Sequence, residues 1–166
     1  IGGLIALILL AALFMKKNHF VKREIMINVP VMKAYEFLRL LENQEKFNKW
    51  AKTDANRIKK YKGTDGSVGF VYSWSGNKDA GQGEKEIMNL IEGKRIETEI
   101  RFIKPMNVTA TVVYETEAIS STQTKVSITN SGIINYPMNI FIPLAEKNFP
   151  KDIDESLRVL KTVLET

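Results

Sequence analysis

The 166-residue chain contains no cysteine, which excludes a disulfide framework, a thiolate nucleophile and a cysteine zinc site. It contains one histidine, His19. A histidine-rich metal site is therefore excluded, and Ser-His-Asp chemistry would need a serine and an acid to converge on that single ring, which no spacing suggests. Gly81-Gln82-Gly83 is too short for a dinucleotide loop and no helix follows it. The tightest basic cluster, Arg57, Lys59, Lys60 and Lys62, has no recognised binding motif around it, so a nucleic-acid partner is not expected. There is no internal repeat, low-complexity tract or interdomain linker, and no apolar run reaches the roughly 20 residues of a full membrane span.

What is present is an ordinary globular mixture, 44% hydrophobic and 26% charged, in a length that suits one domain. The net charge of +5 is unevenly spread. Lys16 to Lys62 holds thirteen basic and five acidic residues, and Gly63 to Thr166 holds eleven and fourteen, so the two parts carry +8 and −3. A basic region beside an apolar segment can face anionic lipid headgroups, and the alternative is a solvated basic face.

The apolar segment is Ile1 to Met15, IGGLIALILLAALFM, followed at once by Lys16 and Lys17. It is short for a span, but the chain opens on isoleucine and its start is expected further upstream. A cleaved signal peptide should end in a small-x-small site, whereas this run passes through Leu13, Phe14 and Met15 into lysines. An uncleaved membrane anchor is the expectation, with a cleaved signal or a buried core helix as alternatives. Residues 1–19 are accordingly read as anchor and link, and 20–166 as the folded domain. Which side of the membrane the domain faces is left open, because positive-inside reasoning needs the upstream flank.

Phe20 to Val29 alternates as a first strand should, and Pro30 stops it. Val31, Ala34, Tyr35, Leu38 and Leu41 follow at helical spacing, and a further turn or two covers Gln44 to Trp50. From Arg57 onward, turn signals at Thr64-Asp65-Gly66, Gly76 to Asp79, Glu92-Gly93-Lys94, Lys104-Pro105 and Ser120 to Thr122 separate strand-like runs, which implies an antiparallel meander. Period-two alternation places Val68, Phe70, Tyr72 and Trp74 on one inward face. Ile96, Thr98, Ile100 and Phe102, then Val108, Ala110, Val112 and Tyr114, and then Val126, Ile128 and Asn130 continue it. Pro137 to Ala145 is apolar, with Pro143 expected to kink or break any helix there, and reads as a mobile lid or helix lead-in. A terminal helix follows, with the stripe Phe149, Ile153, Leu157, Leu160 and Leu164.

This order of elements resembles the helix-grip plan, an α+β fold in which a curved antiparallel sheet of about seven strands grips a long C-terminal helix. The run Ile25-Met26-Ile27-Asn28-Val29-Pro30, the stretch Gly63 to Asn77 and Gly81-Gln82-Gly83-Glu84 resemble the polyketide cyclase/dehydrase branch of the START-like (SRPBCC) superfamily. Phe102-Ile103-Lys104-Pro105 and Thr124-Lys125-Val126 add to the likeness, which covers about residues 20 to 166. The resemblance implies an internal cavity for a hydrophobic small molecule or lipid, with catalysis in only some members.

Candidate cavity residues are Phe70, Tyr72, Trp74, Ile87, Ile100, Phe102, Val112, Tyr114, Ile128, Asn130, Met138, Phe141, Phe149, Ile153 and Leu157. Among them Tyr72, Trp74, Tyr114 and Asn130 carry polar tips suited to orienting a ligand. Glu84 and Glu86 share a strand face, but charged alternation on a solvent-facing strand, with Lys85 and Arg101 as cross-strand partners, accounts for them better than an acid–base pair. His19 is assigned to the link, away from the cavity walls. No catalytic constellation is visible and no cofactor or metal is called for. The leading expectation is a membrane-held binding or carrier module entered near Pro137 to Leu144. The alternatives are a polyketide cyclase-like enzyme and an interaction domain with a filled core, and oligomeric state is left open.

Overall fold

The structure, a computed structural model, describes residues 2–166. Ile1, the first residue of the expected anchor, lies outside the described residues. An N-terminal helix α1 (Gly2–Phe14) leads into strand β1 (Asn18–Ile27), followed by α2 (Val31–Arg39), α3 (Leu41–Phe47) and a 3-10 turn (Lys49–Lys52). Six strands then run in succession: β2 (Ile58–Lys62), β3 (Val71–Ser75), β4 (Gln82–Ile91), β5 (Arg95–Lys104), β6 (Val108–Ser120) and β7 (Gln123–Ile133). A second 3-10 turn (Met138–Phe141) precedes the terminal helix α4 (Ile142–Glu165).

The seven strands form one antiparallel sheet in the order β1-β7-β6-β5-β4-β3-β2. The short connections produce the meander, and β1 closes it by pairing with β7. The expected α+β helix-grip architecture is what the chain forms. β1 ends at Ile27, two residues short of the expected Val29, and Pro30 opens α2, where its missing N–H removes no helical bond. Asp65, in the β2–β3 loop, accepts from the backbone N–H groups of Leu41 (2.8 Å) and Glu42 (3.0 Å) and so fixes the start of α3.

The main core lies between the sheet and helices α2 and α4. Ile153, Leu157, Leu160 and Leu164, at helical spacing along α4, are buried against Ile27, Ile96, Val126 and Ile128. Each such side chain contributes roughly 1.5–3 kcal/mol on burial. Arg23 of β1 holds the outer side of α4 by a two-pronged pair with Asp154, both contacts 2.8 Å. A smaller core of Leu41, Phe70, Tyr72 and Ile87 fills the β3–β4 end.

Two local expectations are corrected. Strand β1 starts two residues before Phe20, so His19 belongs to the strand; β7 is long enough to pair it with Gly132. Pro143 does not break a helix but occupies the first turn of α4, where proline costs no hydrogen bond. The proline inside that helix is Pro150, and residues 142–145 of the segment expected as a mobile lid or helix lead-in are helical. Ion pairs join the basic and the acidic parts of the sequence across the fold. Lys16, Lys22, Arg23 and Lys49 pair with Glu146, Glu115, Asp154, and Asp152 and Glu155 from the later part of the chain.

Helix α1 has 13 residues, about 20 Å of length against a hydrocarbon layer of about 30 Å. Among the described residues no helix is long and apolar enough to cross a membrane. The helix is nonetheless pinned to the domain. Asn139, fully buried, donates to the carbonyl oxygens of Ala12 (2.6 Å) and Met15 (3.1 Å), two of the acceptors a helix end leaves open. Leu7, Leu10, Leu13 and Phe14 stay exposed.

Candidate functional site

The sheet and α4 do not meet everywhere, and between them lies a cavity of about 270 Å³, several times the ~30 Å³ share of one water. A structure without a cavity larger than one water would have favoured an interaction domain with a filled core, and this cavity does not. Ile100, Ala110, Val112 and Ile128 from β5, β6 and β7 form its sheet wall, and Phe149 and Ile153 from α4 form its roof. Trp50, Thr53, Asp79 and Phe102 line it and are also exposed, which marks the mouth between the first 3-10 turn, the β3–β4 turn and the end of β5.

Two sheet glycines make room for rings. A Cβ on Gly83 would meet Trp74 at 2.6 Å, because the indole of β3 lies across that position on β4. A Cβ on Gly132 would come within 2.9 Å of the His19 ring. His19 is thereby buried in the cavity wall, its Nε2 2.8 Å from Asn130 Oδ1 and its ring edge-on to Phe149 at 6.0 Å. With the amide oxygen as acceptor, Nε2 carries the proton. The expectation that His19 sits in a link is corrected by this placement.

At the interior of the cavity stands a lysine. Lys85 is buried, and its Nζ lies 2.5 Å from Gln44 Oε1 and 3.0 Å from the Tyr114 hydroxyl; all three residues line the cavity. Gln44 is held by its own amide N–H, which donates to the Leu38 carbonyl at 2.8 Å, so its oxygen faces the lysine as an acceptor. Among the described residues no carboxylate is within ion-pair distance of Lys85. Burial without a counter-charge lowers its pKa to about 7. Burial likewise pushes the Tyr114 phenol well above the usual tyrosine range.

A second polar group lies toward the mouth. Glu45 pairs with Arg57 at 2.7 Å and with Lys59, and these cations outweigh the opposing effect of burial and hold its carboxyl below the usual range. The Tyr72 hydroxyl beside them is buried without a partner at full hydrogen-bond geometry; burial first, then the neighbouring Glu45 carboxylate as acceptor and as charge, push its pKa up. Arg57 also lies 5.9 Å from the Tyr72 ring centroid, a cation–π distance. Phe70, Tyr61, Tyr72 and Trp74 stack in sequence at centroid separations of 5.6–6.2 Å.

Of the expected cavity residues, Tyr72, Trp74, Ile100, Phe102, Val112, Tyr114, Ile128, Asn130, Phe149 and Ile153 line the cavity. Phe70 and Ile87 sit in the smaller solid core, and Leu157 in the main one, because their strand and helix positions face close-packed neighbours. Met138 and Phe141 do not reach the cavity: they belong to the 3-10 turn beside α1, and Phe141 is half exposed. The mouth lies at Trp50 and Phe102, not at Pro137 to Leu144. Among the four residues expected to orient a ligand, the indole N–H of Trp74 donates to the Ala80 carbonyl at 3.0 Å, and Asn130 is paired with His19.

Glu84 and Glu86 lie on the outer face, where Arg101 holds both at 2.6 Å and Glu99 at 2.5 Å. They form no acid–base pair toward the cavity. Lys85, assigned to that outer face in the sequence, points inward instead. The signal was available: Gly83, Lys85 and Ile87 share one face of β4 by period two, so an inward Ile87 requires an inward Lys85.

No protein-family model matches the sequence, and no curated protein matches it. Solved structures do match in shape. A hypothetical protein of Helicobacter pylori aligns with a TM-score of 0.67 at 12% identity, over 87% of each chain. A structural-genomics protein from Chromobacterium violaceum aligns with a TM-score of 0.63 at 15% identity, covering 89% of this chain and 97% of that one. The di-domain ARO/CYC protein StfQ of the steffimycin biosynthetic pathway aligns at 0.63 and 10% identity, covering 90% of this chain and 51% of its own. At these identities the likeness shows the fold, which is the helix-grip fold expected from the sequence.

Proposed function

We propose that the chain is a binding or carrier module that encloses a hydrophobic small molecule or lipid in the cavity between sheet and helix, and that residues 1–15 hold it at a membrane. The observation that carries the reading is the cavity itself, apolar over most of its wall and open at Trp50 and Phe102. Apolar side chains facing 270 Å³ of space lack partner atoms, so filling that space with hydrocarbon recovers dispersion and removes apolar surface from water. The fold of the ARO/CYC neighbour supports a ligand-binding scaffold in general. Membrane attachment is supported by the exposed leucines and Phe14 of α1, ahead of Lys16 and Lys17. The helix by itself is too short to span, so the attachment it supports is interfacial, or depends on residues preceding it.

The test is uptake of the uncharged dye Nile red by the full chain, compared with Ala110→Phe. Ala110 is buried on the cavity wall, and a phenyl ring there occupies the binding volume. Saturable dye binding lost in the variant, with helix and sheet content unchanged by circular dichroism, is the expected result. No binding by the wild-type chain counts against the reading.

A second reading, a polyketide cyclase-like enzyme, is favoured by one observation: a lysine and a tyrosine hydroxyl in contact inside the cavity. A lysine with its pKa near 7 can take and return a proton at neutral pH. Unchanged consumption of a linear poly-β-ketone by Lys85→Met and Tyr114→Phe would count against it.

A further inference from the structure

The Lys85 site has a property that an apolar cavity does not need. A fully apolar wall would bind hydrocarbon, and replacing a buried lysine there with methionine would remove a desolvation cost. Lys85 instead stands among Gln44, Tyr114, Tyr72 and Ile100, with two hydrogen-bond partners and no anion. Gln44 Oε1 can only accept, so it takes one ammonium proton, and the Tyr114 oxygen offers a lone pair for a second. The third donor of the charged form has no acceptor among the described residues. Resting on the reading of the cavity as a ligand site, this arrangement also says what kind of head the ligand has.

We propose that the cavity takes an amphipathic monoanion, a hydrophobic carboxylic acid, head inward, its carboxylate accepting from Lys85 Nζ and its hydrocarbon lying along Ile100, Val112, Ile128 and Phe149. One cation matches one negative charge. A phosphate dianion would leave charge uncompensated in the interior, since Arg57 is already committed to Glu45. An ester or alcohol gives the ammonium nothing to neutralise. The Tyr114 hydroxyl, while its oxygen accepts from Lys85, can donate to the second carboxylate oxygen.

The proton balance follows. The head enters as carboxylate and the lysine binds as ammonium, forming an ion pair out of water. Above pH 7 the empty site holds largely neutral amine, so one proton is taken from solvent as the ligand binds. Below pH 7 the lysine already carries it. The other titratable groups facing the lysine are Tyr72 and Tyr114, both held neutral by burial. Glu45 lies toward the mouth and is neutralised by Arg57 and Lys59.

The experiment compares decanoic acid, methyl decanoate and Nile red on the full chain by calorimetry and dye displacement, with Lys85→Met and Tyr114→Phe alongside. Decanoate is expected to bind at least about tenfold more tightly than its methyl ester at pH 6.5. Lys85→Met should erase that preference with helix and sheet content unchanged by circular dichroism, and Tyr114→Phe should weaken decanoate severalfold. Calorimetry in two buffers of different ionisation heat should show close to one proton taken up at pH 8 and none at pH 6. Equal binding of acid and ester, or full decanoate affinity in Lys85→Met, overturns the anionic-head proposal but leaves the carrier reading standing if Nile red binds. Failure of all three probes overturns both.

Discussion

Lys85 Nζ on β4 lies 3.0 Å from the hydroxyl of Tyr114 on β6, two strands away across the cavity wall. The contact places a basic group where the neighbouring surface is apolar, and most of what distinguishes this chain from a plain hydrophobic pocket follows from it.

Stability should depend on pH through this lysine. Its folded pKa is about 7 against an ordinary value of 10.5. Between those values the unfolded chain binds more protons, so stability rises with pH from about 7 toward 10; below 7 the cost of the buried charge is fully present. Lys85→Met removes that cost, about 5 kcal/mol at its limit, and leaves Gln44 and Tyr114 each without a partner at about 1 kcal/mol apiece. The variant should therefore be more stable than wild type by roughly 3 kcal/mol at pH 6, with the gap closing near pH 9, by denaturant titration.

On the outer face, Arg101 separates Glu84, Glu86 and Glu99. Arg101→Gln leaves three carboxylates adjacent and should cost about 1–2 kcal/mol at low salt, less at high salt because the groups are partly exposed. Dye uptake by the cavity should be unchanged.

The packing of His19 can be tested through Gly132. A Cβ there meets the His19 ring at 2.9 Å and the backbone oxygen of Thr109 at 2.9 Å. Since the backbone cannot give way as a flexible side chain would, Gly132→Val should lower stability by about 1–3 kcal/mol, read from the thermal midpoint.

Much of the fold could be read from the sequence because period-two alternation and turn residues are local signals. The meander, the α4 stripe and Pro30 as the start of α2 are of this kind. The site was harder to read for three physical reasons. Lys85 was grouped with Glu84 and Glu86 by charge, although the alternation that placed Ile87 inside also places Lys85 inside. His19 was separated from the strand because its partner, Gly132, lies 113 positions away and only the β1–β7 register brings them together. Met138 and Phe141 are apolar, but they belong to the turn whose Asn139 receives α1, a contact that no local pattern encodes.

That contact yields its own expectation. Asn139→Leu removes both donors to the Ala12 and Met15 carbonyls. Hydrogen exchange in α1 should accelerate while the amides of β6 and β7 stay protected, since only the docking of the helix is lost.

Membrane attachment is tested by flotation with vesicles of phosphatidylcholine and phosphatidylserine. The full chain should float with the vesicles, and deletion of residues 1–15 should leave it in the aqueous fraction, with anionic lipid strengthening the association. Recovery of the full chain in the aqueous fraction contradicts the attachment.

The central claim is that the space between sheet and α4 holds a hydrophobic small molecule. Native mass spectrometry of the full chain, gently purified from the organism that makes it, addresses this most directly. The account predicts a species heavier than the polypeptide by one small molecule, extractable into organic solvent and absent from Ala110→Phe. The mass of the bare polypeptide, in a chain that also takes up no fatty acid or Nile red, would contradict it.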